Sequence, residues 1–225
     1  MGPGGTLSFD NPAAIALSVM AVAMLTYGLA LVGRPPSLPR TVVKTLAVAA
    51  LAVAAALLHA PWVLVAALAI CAVGDAFLSR DPKRWLPAGL LAFLVGHALY
   101  ITLFAAWKDP LLDPGPVRLA GFAALAALAV TLLAYLWTHL GVLRPAVVLY
   151  VIVISVMTGF SFMLDAAFWP AMVGSVAFLA SDAVLAVSLF RGEVLFGSTR
   201  ATNWTVWFLY CLAQIGITAA FVGLV

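Results

Sequence analysis

Apolar runs of about 20 residues recur along the whole chain, separated by short stretches of proline, glycine and charge, which is the pattern of consecutive membrane-spanning helices. The punctuation divides the chain into eight predicted spans at 12–32, 41–59, 61–79, 88–107, 117–139, 144–163, 170–190 and 201–224. Together they form a single transmembrane domain over 1–225, all-α in class. The tightest boundary is His59-Ala-Pro61, where the second and third spans are joined by a very short turn.

Charge placement tests the count, because Lys and Arg accumulate in cytoplasmic loops. Loops and span ends after the odd-numbered spans hold Arg34, Arg40, Lys44, Arg80, Lys83, Arg84, Arg144, Arg191 and Arg200, while the other side holds only Lys108 and Arg118. That segregation predicts eight spans with both termini outside, and a miscount by one helix would scramble it. Composition agrees: 66% of residues are hydrophobic, 8% are charged, and mean hydropathy is +1.19. A soluble domain carries roughly 25% charge. Met1-Gly-Pro-Gly-Gly lacks the basic n-region of a cleaved signal peptide, so the first helix is expected to be retained. Cys71 and Cys211 fall inside apolar segments and read as small buried hydrophobes. A net charge of +3 reflects membrane-flanking residues and gives no nucleic-acid surface.

Against this background two carboxylates stand out. Asp75, in Cys71-Ala-Val-Gly-Asp75-Ala-Phe-Leu-Ser79, closes the third span, and Asp182, in Ser181-Asp182-Ala-Val-Leu-Ala186, lies late in the seventh. A charge at membrane depth costs at least ~2.5–3.5 kcal/mol, so it is kept where something uses it. The shared pattern of a small residue, Asp, Ala, an apolar residue and Leu suggests two parallel four-helix repeats. Counting from the nearest flanking charge or proline at 1.5 Å per residue, Asp75 lies roughly 7 Å and Asp182 roughly 13 Å from the cytoplasmic boundary. Lys44 and Tyr150 fall at about 6 and 9 Å, and His97 and Tyr210 at about 15 Å, with Asn203 near the start of the last span. Six of the eight predicted spans supply a polar group to one half of the membrane, which predicts one pocket opening inward. Phe93, His97 and Tyr100 share one helical face; Asn203, Trp207, Tyr210 and Gln214 share another. Each of these residues also has a plain structural reading. Lys44 could snorkel to the interface, the tyrosines and His97 could pack between helices, and either aspartate could be tied to Asn203 or Lys44. His59, His139, Trp62, Trp107, Trp137 and Trp169 read as interfacial residues, and Asp165 and the Asp109 to Asp113 loop as solvated.

The pieces Gly74-Asp75-Ala-Phe-Leu, Phe93-Leu-Val-Gly96-His97-Ala-Leu-Tyr100, Ser181-Asp182-Ala-Val-Leu-Ala186 and Tyr210-Cys-Leu-Ala-Gln214, with Lys44 and Tyr150, resemble in order and spacing the YhhN or lysoplasmalogenase family of eight-helix membrane proteins. The resemblance implies hydrolysis of the vinyl ether bond of a lysoplasmalogen to a fatty aldehyde and a glycerophospho-base, with membrane lipid as the setting. Protonation of an alkene carbon needs a positioned acid and the resulting oxocarbenium ion a nearby carboxylate, as in glycosidases. On that implication Asp182, Asp75 and His97 are the catalytic candidates, with the deeper Asp182 as the acid. Tyr150, Asn203, Tyr210 and Gln214 would orient the ether or head group, and Lys44 would meet the phosphate.

Other readings are a proton-coupled transporter or flippase of a lipid-like amphiphile, a scaffold, or an aspartyl intramembrane protease. The last is disfavoured because Ala72-Val-Gly-Asp75 replaces its Gly-x-Gly-Asp and Ser181-Asp182 its Tyr-Asp pair. No metal or other cofactor is expected, since two carboxylates and one histidine are a thin ligand set. The Ala- and Val-rich chain reads as a bacterial inner-membrane protein.

Overall fold

The computed structural model describes residues 11–109 and 114–222, the side chains of residues 82 and 83 excepted. It is an all-α bundle of eight helices: α1 (Pro12–Thr26, continued by a π-helical turn Tyr27–Leu31), α2 (Leu38–Leu57), α3 (Trp62–Leu78), α4 (Pro82–Trp107), α5 (Gly115–Leu136), α6 (Arg144–Ser161), α7 (Trp169–Arg191) and α8 (Thr199–Phe221). Seven are long and apolar enough to cross a bilayer. The eighth, α3, has 17 residues, at the short limit for a span. The protein is a polytopic membrane protein of the predicted class.

The helix ends follow local chemistry. Asn11 and Ser198 cap α1 and α8 by accepting from Ala13 N and Ala201 N at 2.9 and 3.2 Å. Proline stands in the first turn of α1, α2, α5, α6 and α7, where its missing N–H costs nothing. His59, with φ 58°, turns the chain left-handed and makes the four-residue link between α2 and α3 possible. One start differs from expectation. Pro87, read in the sequence as punctuation before a span at 88, lies inside α4, which begins at Pro82. The tail of the last predicted span, with the N-terminal Met1-Gly-Pro-Gly-Gly and residues 110–113 of the loop ending at Asp113, lies outside the described residues.

Successive helices pack side by side within each half, α4 lies on α6, and α8 reaches α2 and α3. The closest backbone approach is between α7 and α8. A Cβ on Gly174 would stand 2.8 Å from the Ala213 carbonyl, and one on Gly216 would stand 2.8 Å from the Pro170 carbonyl. With no hydrophobic force between helices in lipid, such small-residue seams let them associate. Gly174→Val is therefore expected to destabilise the bundle by several times the ~1–3 kcal/mol typical of core overpacking, because the obstacle is backbone. The measurement is the thermal midpoint in detergent; an unchanged midpoint would refute the seam.

All the connections after odd-numbered helices lie at one end, which carries most of the basic residues and is called the basic end below. The opposite end is closed by aromatic rings. Phe221 lies 5.9 Å from Phe104, 5.9 Å from Trp107 and 5.0 Å from Phe168. Trp107, predicted to sit in the aromatic belt, belongs to this plug, whereas Trp62, Trp137 and Trp169 are exposed as expected.

Helix α5 is the outlier of the bundle, with Leu136 its one buried residue. It is pinned at both ends. Near its start Arg118 Nε donates to the Phe162 carbonyl at 2.8 Å; near its finish the Tyr135 hydroxyl donates to Glu193 at 2.6 Å and Arg191 to the Tyr135 carbonyl at 3.0 Å. The Tyr135 hydroxyl, with the Arg191 guanidinium, holds the Glu193 carboxyl below the usual carboxylate range.

Candidate active site

A cavity of about 180 Å³ lies toward the basic end, and all eight helices line it. Its polar wall is Lys44, Asp75, Tyr150, Asp182, Asn203 and Tyr210; its apolar wall includes Leu78, Leu90, Leu128, Leu132, Leu185 and Leu189. Six of the eight predicted site residues thus meet in one hollow, although they are spread over more than 160 positions of the chain.

The two aspartates sit in unlike surroundings. Asp75, 1% exposed, has both oxygens engaged: Oδ1 faces Lys44 Nζ at 3.0 Å and Oδ2 accepts the Tyr210 hydroxyl at 2.7 Å. Asp182 accepts the Tyr150 hydroxyl at 2.5 Å on Oδ2. Lys44, predicted either to snorkel or to meet a phosphate, is instead held by Asp75, with its ammonium 5.9 Å from the Tyr27 ring and 6.0 Å from that of Trp207. The aspartates are bonded to helix neighbours, as the plain reading allowed, yet both still line the hollow.

Local structure explains the arrangement. Arg40 Nη1 donates to the Ser79 carbonyl, and the Ser79 hydroxyl lies 2.8 Å from Thr41 Oγ1, which clamps the end of α3 to the start of α2 and aligns Lys44 with Asp75. The Ser181 hydroxyl donates to the Val206 carbonyl at 2.9 Å and fixes the rotation of α7 against α8 next to Asp182. Asn203 completes the wall beside Gly33, where a Cβ would stand 3.0 Å from the amide nitrogen.

His97 and Gln214 do not line the cavity. His97 is fully buried behind it, its ring 5.3 Å edge-on from Tyr150 and 4.6 Å from Phe178, and neither ring nitrogen has a hydrogen-bond partner among the described residues. Gln214 accepts the Tyr100 hydroxyl at 2.5 Å. Both lie one layer out, against residues that do line it.

Polar lining residues that escaped the sequence reading include Tyr27, Arg40, Ser155 and Ser181. Tyr27 stands where α1 loosens into the π-helical turn, Val32 N bonding Tyr27 O five residues back at 2.7 Å, and its ring rests 4.4 Å from Trp207. Tyr27 follows an apolar run near the basic end, a signal comparable to that of Tyr150, but the π turn leaves no mark in the sequence. Arg40 was counted as a flanking charge and Ser181 as part of a motif. Among the described residues no group of three or more His, Cys, Asp or Glu could hold a metal ion.

The YhhN family profile matches residues 39–221. Two curated relatives, each named lysoplasmalogenase, come from Mycobacterium bovis and Mycobacterium tuberculosis; each is 32% identical over 162 residues, covering 70% of this chain. The alignment spans 59% of each relative's length. No solved structure matches the chain.

Proposed function

Because this chain belongs to the YhhN family, we propose that it is a membrane hydrolase that cleaves the vinyl ether bond of a lysoplasmalogen, giving a fatty aldehyde and glycerophosphoethanolamine or glycerophosphocholine. The observation that carries the reading is the pair of carboxyl groups in one largely apolar hollow, one ion-paired and one bonded to a tyrosine. The relatives' name, lysoplasmalogenase, supports the substrate class.

On this scheme Asp182 is the acid. Tyr150 occupies Oδ2, so the proton rides on Oδ1 and passes to the alkene carbon next to the ether carbon. The ether carbon becomes an oxocarbenium ion, and Asp75, kept as a carboxylate by Lys44 and Tyr210, stabilises it through space. Water adds to that carbon and its proton returns to Asp182; the hemiacetal then breaks its carbon–oxygen bond, leaving aldehyde and alcohol. Asn203 is placed to orient the ether or head group, and Arg40, at the mouth, takes over from Lys44 as the group to meet phosphate. His97 and Gln214 act one layer out as positioning residues, His97 through Tyr150.

The basic end is assigned to the cytoplasm of a bacterial inner membrane by the positive-inside rule, with both termini outside. A transport cycle would need a second mouth, whereas the far end carries the Phe104, Trp107, Phe168 and Phe221 plug. Purified protein in detergent is expected to release aldehyde from a lysoplasmalogen and not from the saturated alkyl ether, which lacks the alkene to protonate. Absence of turnover by monodisperse protein would overturn the hydrolase reading.

A further inference from the structure

A second hollow shares a wall residue with the one described above. On the lipid-facing side of the bundle a groove of about 370 Å³ runs along the seam of α5 and α6, walled by Phe122, Leu125 and Ala126 on one side and Val156, Gly159 and Met163 on the other. Ser155 lines both the groove and the site cavity, so it marks where the two hollows adjoin. The seam is open for a stated reason: α5 is tied down at Arg118 and at Tyr135 but has Leu136 as its one buried residue, so its middle is not drawn onto the bundle. Gly159 keeps the opposite wall low, a Cβ there already meeting the Phe122 ring at 3.4 Å.

Direction matters too. Tyr150 and Asp182 lie toward the basic end; α6 runs 11 residues on from Tyr150 to Ser161, about 16 Å at 1.5 Å per residue, and Met163 lies just past that end. A lipid whose reactive ether sits at the aspartates and whose phosphate faces Arg40 must send its aliphatic chain the other way, away from the basic end. The groove is an apolar surface lying in that direction, with Ser155 between it and the site.

We propose that the α5–α6 seam is the chain-binding subsite and the lateral entrance of this protein: the single aliphatic chain of the substrate slides in from the bilayer between these helices and lies in the groove past Ser155. The proposal rests on the hydrolase reading for its substrate and, for its place, on Ser155 as a wall common to the two hollows. Chain length is then read along the groove by packing contact and not by escape from water, since the chain leaves an equally apolar bilayer.

Ala126 is exposed on the groove wall, so Ala126→Trp fills the groove without entering the core. The expected result is a fall of about threefold in the ratio of kcat/KM for a long-chain over a short-chain lysoplasmalogen, the loss of about five chain contacts at ~0.1–0.2 kcal/mol each. General damage lowers both values and leaves the ratio alone. A second measurement needs no turnover. An alkyl ether lysophospholipid with a diazirine at its chain end, photolysed in bilayers, should label the peptides holding Phe122 and Met163, and an excess of the same lipid without diazirine should displace the label where a diacyl phospholipid does not. An unchanged ratio, or label that both lipids displace equally, overturns the proposal, since annular lipid would then explain the groove. A parent protein without turnover but with selectively displaced label would overturn the hydrolase reading and support the chain site.

Discussion

Asp182→Asn is expected to lower aldehyde release from a lysoplasmalogen by about 10²–10⁴-fold, the range for loss of a positioned general acid. Asn has the shape of Asp, and its amide oxygen can still accept the Tyr150 hydroxyl that now bonds Oδ2 at 2.5 Å. The bundle should therefore stay folded, with an unshifted thermal midpoint and elution profile. What Asn lacks is a proton acidic enough to give to carbon. Tyr150→Phe makes the complementary change: it removes the bond and keeps the acid, so a loss nearer tenfold is expected, in line with one neutral hydrogen bond of about 1 kcal/mol. Equal losses in the two variants would point to Asp182 as a structural partner of Tyr150, and full turnover in Asp182→Asn would end the scheme.

Asp75→Asn is expected to cost both turnover and stability. Lys44 would be left facing an amide in a site where Asp75 is 1% and Lys44 13% exposed. Breaking a buried pair by removing one partner costs about 3–5 kcal/mol, and the residual exposure of Lys44 puts this case toward the lower figure. The informative variant is Asp75→Asn with Lys44→Met. Removing the stranded ammonium should recover most of the thermal midpoint, because the membrane interior no longer holds an unpaired charge. Turnover should stay absent, because on the proposed scheme the negative charge at Asp75 stabilises the cation. Activity returning with stability would make the pair a structural tie.

The bundle itself was legible because two independent signals coincide in a membrane chain. Apolar length sets the spans and loop charge sets their alternation, and neither depends on how the helices pack. The site was legible because a carboxylate in an apolar run is conspicuous. Depth was read less well. Asp75 and Tyr210 were placed roughly 8 Å apart along the membrane normal, yet they bond at 2.7 Å. Side chains lean toward the start of their helix; α3 runs toward the basic end and α8 away from it, so Asp75 leans inward, Tyr210 leans outward, and the two meet. The stripe Phe93, His97, Tyr100 gave the correct face of α4 without saying which member reaches the hollow. Phe178 of α7 stands against all three rings, Phe93 alone of the three lines the cavity, and an apolar residue among many carries no signal of such a role. The contribution of α5 was invisible for the same reason, since it gives the site leucines and alanine alone.

The ring plug of Phe104, Trp107, Phe168 and Phe221 gives the protein a sidedness. A hollow stopped at one end makes entry and departure of any water-soluble fragment share a single face, so on the proposed reaction a freed head group would return to the compartment from which it was presented. In reconstituted vesicles with mixed insertion, each molecule would draw on one monolayer only, and the accessible half of the lipid would set where the reaction halts.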